Sequence, residues 1–160
     1  MKLMHSQNGF PAWFAVLVFA MAIPESAVAQ DKSRIPDPAV YQAMLNAARD
    51  SGWVSFRNWN GQQLVYFTPL QTLHCRLSEI RYSINNDALD QRFELVECNP
   101  QTPLALPSGS GLDDIALQLA PDTAQTVAVQ VVWDDGSESD VMTYEPCKDV
   151  GDQTCAWPVN

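Results

Sequence analysis

Few residues in this chain are of a type that does chemistry. Lys2, the apolar run 12–23, Pro24 and the small residues Ala27 and Ala29 read as a secretory signal peptide, residues 1–29, cleaved before Gln30. Its removal leaves 131 of the 160 residues and a single imidazole, His74, next to Cys75. A serine triad would have to use His74, and no G-x-S-x-G accompanies it. H-E-x-x-H, P-loop and G-x-G-x-x-G patterns are absent as well. Four cysteines, Cys75, Cys98, Cys147 and Cys155, are separated in pairs by 22 and 7 residues, which fits neither a zinc signature nor a C-x-x-C redox motif. An even count in an exported chain predicts disulfides, and short self-contained loops favour Cys75–Cys98 with Cys147–Cys155. The acidic run 134–140, DDGSESD, offers the clustered oxygens calcium prefers, but its glycine comes too early for the D-x-[DN]-x-[DN]-G loop. It reads as a hairpin tip. No catalytic residue, metal site or cofactor is expected, although carboxylate-pair hydrolysis needs no motif.

What could recognise a partner is the stretch 51–67, SGWVSFRNWNGQQLVYF. Asn60-Gly61 is the preferred pair for a two-residue type I′ turn, since both central residues must take positive φ. That turn sets Trp59 opposite Gln62, Phe56 opposite Val65 and Val54 opposite Phe67, so the apolar four share one face. The other face carries Trp53, Ser55, Arg57 and Trp59 against Gln62, Leu64 and Tyr66. Two indoles flanking a guanidinium are the makings of a recognition surface. Trp53, Arg57, Trp59 and Tyr66 are therefore the candidate contact residues, against the plainer reading that a second layer, or the preceding helix, covers the indoles. The loop between Cys147 and Cys155 is a second candidate, because a closed loop is pre-organised for binding.

The elements that must position these residues follow from local pattern. After a polar lead, 30–36, Asp37 is an N-cap, Pro38 suits the first helical position and Gly52 is a stop, predicting a helix over 38–51. Val40, Met44 and Ala48, beside Tyr41, Leu45 and Ala47, give it an apolar stripe. Residues 76–86 and 91–98 form a second hairpin with two competing registers. One sets Cys75 opposite Cys98 but opposes Arg81 to Arg92; the other, shifted by two, pairs Arg81 with Glu94 and leaves the cysteines diagonal. The Pro/Gly/Ser-rich stretch 99–114 is a loop crossing between sheets. Strands follow at 115–119 and 126–133, and Asp135-Gly136 turns the chain into a last strand, with Val129 opposite Met142 and Val127 opposite Tyr144. Short strands at this spacing predict one domain, 37–160: a mainly β, antiparallel two-sheet sandwich of immunoglobulin-like kind behind a single helix. The segment 129–145 resembles the closing hairpin of many secreted bacterial immunoglobulin-like domains.

Charge narrows the partners. Residues 113–160 hold ten acids against Lys148 alone, within a net charge of −10. Such a surface repels phosphate backbones and anionic lipid heads, so nucleic acid is not an expected partner. No segment after the leader is apolar enough to span a bilayer, so stable membrane insertion is not expected. The expectation is a small exported, disulfide-stapled domain, periplasmic or secreted, that binds a protein or glycan. The alternatives are an accessory subunit of a cell-envelope complex or a small hydrolase using paired carboxylates. Intact mass of the exported protein checks the first step: the expected mature chain begins at Gln30, and a species retaining 1–29 would exclude cleavage.

Overall fold

The computed structural model describes residues 34–159; the signal-peptide assignment lies outside them. One helix of any length, α1 (Pro38–Ala47), precedes eight strands: β1 (Ser55–Trp59), β2 (Gln62–Tyr66), β3 (Leu77–Ile84), β4 (Gln91–Phe93), β5 (Ala116–Leu119), β6 (Val127–Trp133), β7 (Met142–Glu145) and β8 (Trp157–Pro158). A single helical turn, α2 (Thr68–Gln71), and a 3₁₀ turn, His74–Arg76, join β2 to β3. The strands form two antiparallel sheets, ordered β1-β2-β5 and β4-β3-β6-β7-β8. Among the described residues, no helix is long and apolar enough to cross a membrane.

Both sheets bury side chains in one cluster, Phe56 and Val65 from the first, with Phe67 just past β2, and Ile80, Tyr82, Phe93, Val127, Val129 and Val131 from the second. Phe67 joins them directly, stacked on Phe93 at 4.2 Å and edge-on to Tyr82 at 5.3 Å. Full burial of each such side chain contributes about 1.5–3 kcal/mol. The first hairpin has the register its turn demands: Phe56 faces Val65 and Trp59 faces Gln62, with Asn60 and Gly61 at φ 51° and 74°. The last hairpin likewise pairs Val127 with Tyr144 and Val129 with Met142. Disulfides join Cys75 to Cys98 and Cys147 to Cys155.

Two local expectations, the first and third below, give way, and the open β3–β4 register is decided. First, α1 stops at Ala47, with residues 48–51 forming a turn before Gly52 at φ 104°. Aromatic side chains take carbonyls at that end: the Trp53 indole N–H donates to Leu45 C=O at 2.8 Å, and Tyr144 Oη donates to Arg49 C=O at 2.8 Å. Tyr41 and Leu45 make its buried face, while Val40 is 47% exposed. Second, β3 and β4 take the register that opposes Arg81 to Arg92. Glu79 removes the cost, its Oε2 accepting from Nε of both arginines at 2.8 Å. Third, β4 ends at Phe93, so 94–98 leaves the ladder and reaches the disulfide off the sheet, where Cys75 sits in the 3₁₀ turn. The buried Gln71 amide replaces the missing strand: Nε2 donates to Glu94 C=O at 2.7 Å, and Oε1 accepts from Val96 N–H at 3.3 Å.

Burial pushes the phenols of Tyr41 and Tyr82 up and that of Tyr144 up to about 12. An unfolded tyrosine ionises near pH 10. The unfolded chain therefore loses these protons first, and stability held below pH 10 falls as pH climbs toward 12. Denaturant melts across that range should show the decline, and Tyr144→Phe should make it shallower; an unchanged slope would contradict the burial of Tyr144.

Candidate functional site

Of the four candidate contact residues, the structure brings Arg57 and Trp59 together and separates the others. The strand alternation that put Trp53 on their face fails because β1 begins only at Ser55. Gly52 bends the chain before it: a Cβ there would lie 2.5 Å from Val54 O. Trp53 turns under α1 into the core at 1% exposure. Tyr66, half-buried, faces Ser55 at the far end of the hairpin, beyond Leu64, which is buried. The plainer reading thus holds for the middle of this face, and its Trp59 end stays open.

Trp59 is 51% exposed. The Arg57 guanidinium carbon lies 4.3 Å from the centre of its ring, a cation–π stack that fixes both side chains. Arg57 in turn donates from Nε to Asp152 C=O at 2.8 Å and lies 3.7 Å from the Asp152 carboxylate. Asp152 belongs to the loop closed by Cys147–Cys155, and that loop is fastened to β1 by a reciprocal backbone pair: Phe56 N–H to Cys155 C=O and Cys155 N–H to Phe56 C=O, both 3.0 Å. The two sequence candidates, hairpin face and cystine loop, are one construction. A disulfide anchors a loop, the loop holds an arginine, and the arginine braces an exposed indole. Asp152 went unnoticed because a contact across 95 residues leaves no local sequence signal.

The remaining polar clusters are committed to structure. His74 is buried, with Nδ1 2.6 Å from Gln71 C=O and no partner for Nε2. An imidazole nitrogen and the sulfurs of Cys75 and Cys98 lie within 4.8 Å of one another, but those sulfurs are bonded to each other and metals bind thiolates. In the 134–140 tip the acids turn to different partners. Asp134 pairs with Arg76, Glu138 with Arg81 and Asp140 with Arg49, while Asp135 accepts from Ser137 Oγ and N–H. The Ser137 bonds hold the Asp135 carboxyl below the usual carboxylate range. These oxygens do not converge on a cation.

The chain matches no protein-family model, no curated protein and no solved structure. Its site therefore stands on geometry alone, and the two tryptophans give a direct check. Trp53→Ala should cost about 3–5 kcal/mol of stability, as a buried indole leaves a cavity. Trp59→Ala should change it by no more than about 0.5 kcal/mol. Denaturant melts of both variants measure the difference, and equal losses would contradict the split.

Proposed function

We propose that the protein is an exported, disulfide-stabilised binding domain, periplasmic or secreted, whose contact surface is centred on Trp59 and Arg57. The observation that carries this reading is the exposed indole stacked on a guanidinium that is itself tethered to a cystine loop. An exposed tryptophan whose rotamer is already fixed offers a large amphipathic contact at little entropic cost, the property of interface hot spots. Two disulfides suit an oxidising compartment. The partner in this reading is a macromolecule, a protein or a glycan, that meets the tip of the β1–β2 hairpin. The immunoglobulin-like reading of the sandwich belongs with it, supported by a strand order in which β2 pairs β5 and β3 pairs β6 across long connections.

Immobilised mature protein, presented with envelope extract and with a glycan array, tests this. Trp59→Ala and Arg57→Ala should each lose a captured partner by about 2 kcal/mol, roughly thirtyfold in affinity. Their melting temperatures should stay near wild type. Undiminished capture by Trp59→Ala would remove the hairpin tip from the interface.

A further inference from the structure

The two sheets meet along two seams, and the chain treats them differently. At one, the C-terminal segment pairs with both sheets: Cys155 with Phe56 of β1, and Trp157 and Pro158 with Glu145 and Tyr144 of β7. At the other, between edge strands β4 and β5, residues 94–97 run on past the last ladder pair. Gln71 bonds the carbonyl of Glu94 and the amide of Val96, the two groups a facing strand would take on either side of Leu95. Leu95 lies between those two residues and Glu97 follows them. Among the described residues, neither has a backbone hydrogen-bond partner.

These residues border a groove of about 510 Å³ between 94–97 and the 107–114 stretch. Glu94, Glu97, Asp113 and Asp114 line it, and no lysine, arginine or histidine does. Asp113 and Asp114 are held in place, accepting from Gln118 Nε2 at 2.5 Å and Gly111 N–H at 2.7 Å. Leu95, Val96 and Pro107 give the groove apolar wall.

We propose that this groove binds an extended cationic peptide, which adds a strand alongside residues 94–97. Unpartnered backbone groups at alternate residues, Leu95 and Glu97, ask for amide donors and acceptors, which a peptide backbone supplies. The four carboxylates ask for lysine or arginine side chains, and the absence of any base in the groove leaves those charges to the ligand. A polyamine or a metal cation would meet the carboxylates and leave the backbone groups unpaired. This site is separate from the Trp59 tip and stands or falls independently of it.

Fluorescence anisotropy of mature protein with a labelled short peptide alternating lysine and valine tests the proposal. The expected result is binding that weakens with salt, falls roughly tenfold in Glu94→Gln/Glu97→Gln, and is lost when alternate peptide amides are N-methylated. Amide resonances of Leu95 and Glu97 should shift on binding. Both glutamates are exposed, so a thermal melt should show the double variant folded. Trp59→Ala should bind the peptide as wild type does, which separates this site from the hairpin tip. Absence of binding, equal binding by the double variant or the N-methylated peptide, full competition by spermine, or loss in Trp59→Ala would each overturn it.

Discussion

The pairing of β3 with β6 is the constraint on which the rest of the molecule depends. It runs from Leu77 opposite Trp133 to Ile84 opposite Val127, interrupted only by a bulge between Leu77 and Glu79. Every residue of β6 is buried, on both faces of the sheet. On the core side Val127, Val129 and Val131 meet the first sheet's cluster; on the other, the Gln130 amide is held by Ser139 C=O at 3.0 Å. Without this ladder the five-stranded sheet would fall into a two-stranded and a three-stranded piece, and neither could cover the first sheet. Joining strands so far apart in sequence costs chain entropy before any contact repays it. The Cys75–Cys98 link, set where β3 begins, lowers the entropy of the unfolded chain around that strand, a contribution on the order of 2–4 kcal/mol.

Around this centre, the ends of the sandwich are finished by side chains that stand in for backbone. Gln71 substitutes for a strand beside 94–96, and also donates to Asp114 C=O at 2.8 Å. Gln63 does the same at the first sheet, accepting from Ala124 N–H at 2.7 Å and donating to Ala124 C=O at 2.9 Å. Both amides are buried with donor and acceptor satisfied, the condition under which a buried polar group fixes geometry instead of costing stability. Trp53 and Tyr144 finish α1 in the same way. Substituting the side chain would leave backbone groups unpaired.

Much of this was legible in the residues, and the exceptions share a cause. Turn chemistry is local, so Asn60-Gly61 fixed the first hairpin and Asp135-Gly136 indicated the last. Cysteine spacing was enough for both disulfides because each closes a short loop. The β3–β4 register could not be chosen from cross-strand pairs, since Arg81 opposite Arg92 is costly as a pair and acceptable as a trio with Glu79. Trp53 was assigned to the wrong face by extending alternation past the start of β1. Its partner, the Leu45 carbonyl, is fixed by the helix end and has no sequence signature. Of the residues proposed for binding, Trp59 and Arg57 could be picked by type, while Asp152 and the unpartnered backbone of Leu95 and Glu97 belong to tertiary structure.

The sandwich has one seam closed by its own C-terminal segment and the other left open beside β4. Amide hydrogen exchange on the protein, read residue by residue, tests that asymmetry most directly. The closed seam predicts slow exchange at Phe56, Cys155 and Val159, whose amides donate to Cys155, Phe56 and Thr143 carbonyls. The open seam predicts fast exchange at Leu95 and Glu97, with the Val96 amide slower through its bond to Gln71. Protection of Leu95 and Glu97 equal to that of Phe56 and Cys155 would contradict it.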